Sequence, residues 1–265
     1  MHTPLAVLLD RLDSGAMSRT TVIKWSSPVP CFGDPSTSCL ATLGLNPSNR
    51  EFVDESGREL QGSFRRFHTL TSLGLSSWSD VDARHLRLII ETCRSYFLGN
   101  PYDRWFRRLD EVISGTKVSY YGASRGACHL DLIPYATSRK WTELTPRQRS
   151  ALLRVATDTF GLLLRDSAVR ILILNGTAVV HRFQDIAGVR LERREMRTWS
   201  LRRRSVPDVR GFAFTGVVDN LSGIPLGRQI LVLGFNHNLQ SSFGVTSRVL
   251  QTIRNWIGGA AREVL

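Results

Sequence analysis

The sequence predicts an α/β fold: a single domain with a central four-stranded parallel sheet flanked by helices on both faces. Four short apolar runs stop abruptly at proline, glycine or a polar residue, as buried strands do. Amphipathic segments with helix-start signals separate these runs. No internal repeat or low-complexity linker interrupts the alternation, and right-handed crossovers then give a parallel sheet. We expect one domain over residues 1–265, with its core at 39–257 and an irregular, partly helical lead-in at 1–38.

The predicted strands and helices follow from local signals along the chain. The four expected strands begin at Cys39, Ala127, Val169 and Gln229 and end before Asn46, Pro134, Asn175 and Gly234. The expected helices lie at 4–12, at 63–73, from an N-cap at Asp80 to 97, from Asn100-Pro101 onward, from Thr145-Pro146 to 166, after Gly176 to 184, and at 245–257. The Arg-rich stretch 190–218 is expected to be β-structure or an extended loop.

The charge of the chain indicates a polyanionic partner. The 35 basic and 23 acidic residues give a net charge of +12, and only three of the basic residues are lysines. Arginine forks match phosphate groups in two-point contacts, so nucleic acid is the expected partner. A bias toward arginine is also typical of a GC-rich genome, and that alternative stays open.

Other classes of protein are disfavoured by composition. No apolar run approaches the ~18 residues that a membrane span needs, and the N-terminal segment lacks the pattern of a signal peptide. The four cysteines are far apart and show no Cys-x-x-Cys spacing, which favours reduced thiols over a disulfide frame or a zinc site. We therefore expect a cytoplasmic monomer with no membrane contact, no metal and no cofactor.

Three of the four expected strands end in polar residues. Asn46 follows the first strand, Asp131 lies at the end of the second, and Asn236 and His237 follow the last. The carboxyl ends of parallel strands meet at one edge of an open sheet, where ligands bind. The alternative for Asn46 is a turn that only ends a strand.

These strand ends resemble the motifs of the uracil-DNA glycosylase superfamily over roughly residues 39–257. The segment Gly44-Leu45-Asn46-Pro47-Ser48 is similar to the family's Gly-Met-Asn-Pro-Gly and departs from it at Ser48. Asp131 occupies the place of the family's base-reading Asn. The segment Asn236-His237-Asn238-Leu239-Gln240-Ser241 is similar in position to the family's His-Pro-Ser-Pro-Leu-Ser, without its prolines and in either of two registers. Asn175-Gly176-Thr177-Ala178 also resembles the turn after the family's third strand.

The resemblance implies a monofunctional DNA glycosylase, which hydrolyses the N-glycosidic bond of a base flipped out of double-stranded DNA and leaves an abasic site. Asn46 would position the water. His237, or Asn236 in the other register, would donate to the base as it gathers negative charge. No lysine lies at these strand ends, so no amine nucleophile is expected. The alternative for His237 is a loop histidine with no catalytic role.

Further contacts to DNA are implied by the same resemblance. Phe52 or Phe64 would stack on the flipped base, with core packing as the alternative for each. Leu239 matches the wedge that fills the vacated position in the duplex. Arg202, Arg203 and Arg204 would follow the phosphates, unless this arginine run is simply a solvated surface.

Asp131 and Ser48 together predict the base that is excised. An ionised Asp offers only acceptors, which suit the C4 amino group of cytosine and repel O4 of uracil. Uracil-specific relatives carry a Tyr at the place of Ser48, where it crowds the base C5 position. The expected substrate is a C5-modified cytosine, hydroxymethylated or glucosylated, of phage DNA, in the manner of bacterial defence glycosylases.

Three alternatives to this substrate assignment stay open. In the first alternative, Asp131 pairs with an arginine and reads no base. The chain is a uracil or thymine-mismatch DNA glycosylase of base-excision repair in the second. In the third it is a catalytically silent relative that binds DNA without cleaving it, because Asn46 is a weak catalytic group.

Overall fold

The computed structural model describes residues 2–13, 15–18, 20–99, 103–121, 126–203, 207–239 and 244–265. The chain divides into two compact units. The first comprises Met1–Asp34, Gly44–Pro101 and Leu130–Asp166, and the second comprises Pro35–Leu43, Tyr102–His129 and Ser167–Leu265. A single domain over the whole chain stays a prediction.

One six-stranded sheet organises the fold. Its strands are β1 (Leu40–Gly44), β2 (Ala127–Asp131), β3 (Ile171–Asn175), β4 (Glu192–Glu195), β5 (Phe212–Leu221) and β6 (Ile224–Phe235). Their order across the sheet is β2-β1-β3-β6-β5-β4. β3 pairs in parallel with β1 and with β6, whereas β5 pairs antiparallel with both β6 and β4. The α/β class with one sheet is confirmed, but the prediction of a four-stranded parallel sheet is wrong, because the sheet is mixed.

The two additional strands, β4 and β5, fall in or overlap the Arg-rich stretch, where β-structure or an extended loop was expected. All four residues of β4 are exposed and charged, so they carry no apolar pattern that predicts a strand. β5 and β6 form a hairpin whose turn residues, Ser222 and Gly223, have φ angles of 53° and 81°. Paired left-handed residues are typical of the tight turn that joins antiparallel strands. The Asn220 side-chain oxygen accepts a hydrogen bond of 3.0 Å from the Gly223 amide and stabilises this turn.

Eight α-helices accompany the sheet in the described residues. Those of the first unit are α1 (His2–Asp13), α2 (Leu70–Leu73), α3 (Ala83–Arg94), α4 (Tyr96–Gly99) and α6 (Pro146–Arg165). Those of the second unit are α5 (Asp103–Ile113), α7 (Thr177–Ala187) and α8 (Ser247–Ala260). Within the second unit, α5 packs on α8, and α7 packs on β3, β5 and β6.

Helix starts were predicted with mixed success. Thr145 caps α6, since its hydroxyl accepts from the Gln148 amide, as predicted. The cap of α3 is Asp82 rather than Asp80, because the Asp82 carboxylate accepts from two amides of the first turn. The helix predicted at 63–73 shrinks to α2, where Thr69 and Ser72 form a capping box. The predicted start at Asn100-Pro101 lies outside the described residues.

The ends of β1 and β2 are joined by backbone hydrogen bonds. The Leu132 amide donates to the Gly44 carbonyl at 3.2 Å, and the Ile133 amide donates to the Leu45 carbonyl at 3.0 Å. All five residues of each strand are buried. The pairing therefore fixes Asp131 beside the segment that leads into Asn46.

Candidate functional site

Asn46 is half-buried in the first unit, two residues after the end of β1. Its side-chain nitrogen donates hydrogen bonds of 3.0 Å to the Pro47 carbonyl and to the Thr137 hydroxyl. The Thr137 hydroxyl in turn donates to the Arg139 carbonyl at 2.7 Å. Because the nitrogen is committed to two protein acceptors, the amide oxygen is the end of Asn46 that can accept a hydrogen bond from a water or a substrate.

Asn46 and Ser48 line one cleft of about 500 Å³ in the first unit. Pocket volumes of this order accommodate small ligands. The wall also contains cations, carboxylates and one indole ring: Arg50, Arg139, Lys140, Asp54, Glu55, Glu143 and Trp141. The cleft is therefore polar, with both signs of charge.

Ser48 caps the turn that follows Asn46. Its hydroxyl accepts a hydrogen bond of 3.2 Å from the Arg50 amide and begins a short 3₁₀ turn at Asn49–Glu51. The side chain of Ser48 is small and half-buried, so it leaves the adjacent part of the cleft open. Ser48 therefore fixes the start of the turn that follows Asn46 and Pro47.

Asp131 is buried at the end of β2, with 5% of its surface exposed. It lies beside Glu51 rather than in the wall of the cleft, and its negative charge raises the pKa of Glu51. Burying a carboxylate costs free energy unless neighbouring groups stabilise it. The surroundings of Asp131 are therefore protein groups rather than bulk water.

Glu51 is a buried ionisable residue that the sequence reasoning missed. Burial raises its pKa to about 7, and the neighbouring Asp131 also raises it, whereas Arg66 and the hydrogen bond from Tyr96 lower it. The Tyr96 hydroxyl lies 3.1 and 3.2 Å from the two carboxylate oxygens. A glutamate in a polar loop is expected to be exposed to solvent, and no sequence signal distinguishes Glu51 from its exposed neighbour Glu55.

The two aromatic candidates have opposite surroundings. Phe52 is 1% exposed and packs edge-on against Trp25 and obliquely against Phe67, with centroid separations of 6.3 and 5.8 Å. Phe64 is 76% exposed at the end of a 3₁₀ turn. Phe52 is thus a core residue. Of the two candidates, Phe64 is the one whose side chain is accessible to a ligand.

His237 and Asn236 belong to the second unit and follow β6. The His237 ring is buried, and its Nε2 donates a hydrogen bond of 2.7 Å to the Trp199 carbonyl. Burial lowers the pKa of His237, although the bond to Trp199 opposes this shift. Asn236 uses both ends of its amide, accepting from the Phe212 amide and donating to the Arg210 carbonyl, each at 2.7 Å. Both side chains therefore make structural contacts with the chain before β6.

The predicted DNA contacts of the second unit differ in exposure. Leu239 is 2% exposed, so a wedge role requires this side chain to leave its present packing. Arg202 and Arg203 are exposed, as a phosphate track requires. Arg204, Gln240 and Ser241 lie outside the described residues.

Two other kinds of feature are absent from the described residues. No described helix has the length and apolar character needed to cross a membrane. Among the same residues, no cluster of three or more His, Cys, Asp or Glu side chains has an arrangement suited to a metal ion. The cysteines, all of which the structure describes, are thiols without a disulfide bridge: Cys31, Cys39, Cys93 and Cys128.

The candidate site in the first unit comprises Asn46 and Thr137 in the wall of the cleft, together with Asp131 and Glu51, which are buried outside that wall. Thr137 was not predicted either, because a threonine six residues beyond the end of β2 has no local feature that links it to Asn46. Comparison of the chain with known protein families and with curated proteins found no matching family model and no matching protein.

Proposed function

We propose that the protein is a monofunctional DNA glycosylase that excises a C5-modified cytosine and leaves an abasic site. The observation that carries this proposal is the fixed amide of Asn46, whose nitrogen is bound by Pro47 and Thr137 and whose oxygen is left to orient a water at the cleft. The resemblance of residues 44–48 to the first motif of the uracil-DNA glycosylase superfamily supports the same assignment.

The reaction replaces the bond between sugar C1′ and base N1 by a bond between C1′ and a water oxygen. As the base departs, positive charge develops on the sugar and negative charge on the base. Asn46 orients the attacking water through its amide oxygen but is too weak a base to remove a proton early. One water proton remains on the new sugar hydroxyl, and the other neutralises the departing base. Catalysis thus depends on positioning and on stabilising the leaving base.

Asp131, which lies outside the wall of the cleft, supports the choice of cytosine by the chemistry of its side chain. A carboxylate accepts a hydrogen bond from the C4 amino group but cannot donate to O4 of uracil. Asp131 is buried, and a site that reads a base edge through a buried hydrogen-bonding group discriminates strongly against an edge that does not match it. The base-donor role implied for His237 stays a prediction, because its Nε2 is bound to Trp199.

The cleft supports a substituent on C5. Ser48 is small, and the cleft that it lines contains the carboxylates of Asp54, Glu55 and Glu143. Carboxylate oxygens accept hydrogen bonds from hydroxyl groups, which hydroxymethyl and hexosyl substituents carry. The indole of Trp141 adds an apolar surface, and Arg149 holds it in place by stacking 5.8 Å from the ring centroid.

The test is a panel of matched duplexes that carry uracil, a thymine mismatch, cytosine, hydroxymethylcytosine or its glucosylated form at one position. After incubation and alkali treatment, we expect strand cuts only at the modified cytosines. Cuts at uracil or at the mismatch would assign the chain to base-excision repair instead. Binding in a gel shift without any cut would identify a catalytically silent DNA-binding protein.

A further inference from the structure

Glu51 connects the turn after Asn46 to the interior of the first unit. It ends the 3₁₀ turn Asn49–Glu51 and is 2% exposed. Arg66 places its Nη1 atom 3.8 Å from Glu51 Oε2 and donates from the same atom to the Arg50 carbonyl at 3.0 Å. Arg66 thereby links the Glu51 carboxyl to the backbone of the turn that begins at Ser48.

The surroundings of Glu51 combine few charges with much apolar surface. Among the described residues, the charged or titratable groups that act on its carboxyl are Arg66, the Tyr96 hydroxyl of α4, and Asp131 at the end of β2. The Tyr96 ring stacks on Phe67 with a centroid separation of 5.3 Å, and Phe67 contacts Phe52. In such a poorly solvated cluster, a second negative charge beside Asp131 is much less stabilised than it is in water.

We propose that Glu51 is a positioning residue of the glycosylase reaction, and that its protonated form is the one that supports base excision. This inference rests on the proposed function. When Glu51 loses its proton, it adds one negative charge beside Asp131, the residue proposed to read the base.

The electrostatic argument concerns the transition state. Negative charge builds up on the departing base, and interactions that disfavour this charge slow the reaction. An ionised Glu51 beside Asp131 repels that charge, whereas a protonated Glu51 does not. Glu51 acts through Asp131 and the turn, so it need not touch the substrate.

Glu51 loses its proton in the range where enzymes work, because burial raises its pKa to about 7. If only the protonated form is active, kcat/KM of the wild type at pH 8 is about tenfold below its value at pH 6. Removal of a group that lowers this pKa shifts the midpoint upward. Tyr96→Phe removes such a group, because the Tyr96 hydroxyl lowers the pKa of Glu51.

The experiment measures kcat/KM for the duplex that the wild type cleaves best, between pH 5.5 and 9, for four proteins. The wild type should show the decline near pH 7, and Glu51→Gln should be flat within about twofold, since its amide carries no charge at any pH. Tyr96→Phe should decline at a higher pH than the wild type. Glu91→Gln, an exposed carboxyl on α3, is the matched control and should follow the wild type.

Each outcome has one meaning. A flat Glu51→Gln profile with a displaced Tyr96→Phe profile supports the inference, since loss of a merely structural residue lowers the rate equally at every pH. A Glu51→Gln profile that runs parallel to the wild-type profile overturns the inference while the proposed function stands. No cleavage of any panel duplex by the wild type at any pH overturns the proposed function itself, and the inference with it.

Discussion

The side-chain nitrogen of Asn46 lies 3.0 Å from the hydroxyl oxygen of Thr137 and donates a hydrogen bond to it. The hydroxyl donates onward to the Arg139 carbonyl, so its own direction is fixed by the backbone. This chain of two bonds keeps the Asn46 amide in one orientation before any substrate binds. Preorganisation of this kind lowers the cost of positioning a water during the reaction.

Asn46→Ala is therefore expected to abolish abasic-site formation while leaving DNA affinity within a few-fold of the wild type. Asn46 orients water and makes few contacts that would hold bound DNA, so its loss affects the transition state rather than the ground state. Single-turnover cleavage and gel shifts measure the two quantities, with Asn255→Ala on the exposed face of α8 as the control. An equal loss of cleavage and of affinity would identify Asn46 as a structural residue.

Asp131→Asn is expected to exchange the substrate preference. The Asn amide can donate to uracil O4 as well as accept, so activity on uracil should rise and activity on modified cytosine should fall by orders of magnitude. Asp131→Ala should lose both activities. The duplex panel measures these rates. An unchanged preference in Asp131→Asn would contradict the cytosine assignment.

The same panel tests Ser48→Tyr, which should block cleavage at bases with bulky C5 groups while sparing those with small ones.

Phe52 and Phe64 are a matched pair for separating packing from ligand contact. Phe52→Ala should lower the free energy of unfolding by about 3–5 kcal/mol, because it empties a site in the aromatic core. Phe64→Ala should change it by less than about 0.5 kcal/mol, since the ring is exposed, but should weaken cleavage. Urea denaturation and the cleavage assay measure the two effects. Full activity in Phe64→Ala would exclude stacking of this ring on the base.

Replacement of Arg202, Arg203 and Arg204 by Ala should reduce the salt dependence of DNA binding without changing the base that is chosen. Each phosphate that the protein no longer neutralises lowers the slope of log K against log salt by about 0.9. Affinities between 50 and 200 mM salt give this slope. Arg84→Ala with Arg87→Ala, on the exposed side of α3, is the control. A slope that changes only in the control variant would place the phosphate track on α3.

Glu51 should make the folded state less stable as the pH rises. Its pKa is about 7 in the folded chain and 4.5 when unperturbed, so between these values the folded state holds a proton that the unfolded state has lost. The stability that protonation provides is complete below pH 4.5 and is lost as the pH rises through 7. A shift of this size corresponds to about 3 kcal/mol.

Glu51→Gln should remove that part of the pH dependence. Urea denaturation at pH 5 and at pH 8 measures it, and the difference between the two pH values should be smaller in Glu51→Gln than in the wild type or in Glu91→Gln. Equal pH dependence in all three proteins would mean that Glu51 does not titrate in this range.

The four strands that the sequence predicts contain buried runs: all five residues of β1, β2 and β3 are buried, and so are most residues in the second half of β6. Such short, mainly apolar runs are recognisable without knowledge of their partners. β4 is recognisable only through its partner β5, because four exposed charged residues form a strand solely by pairing with it. The Ser-Gly pair at positions 222 and 223 is a local turn signal that indicates the hairpin, but the hairpin was not among the predictions.

The candidate site shows the same division. Asn46 and Asp131 were predictable because each stands at the end of an apolar run. Glu51 and Thr137 were not, since the side-chain partners of Glu51 are Arg66 and Tyr96, which follow it by 15 and 45 residues. Long-range packing of this kind has no signature in a local window.

The exposed edge of the sheet has a consequence for how copies of the chain meet. β4 is the last strand in the order and reads Glu-Arg-Arg-Glu, the same in both directions. Antiparallel pairing of this strand with its own copy would place Glu192 opposite Glu195 and Arg193 opposite Arg194. Like charges directly opposite each other destabilise a strand pair, and charged edges keep sheets from joining. The palindrome thus protects the edge against growth of the sheet from one molecule into the next.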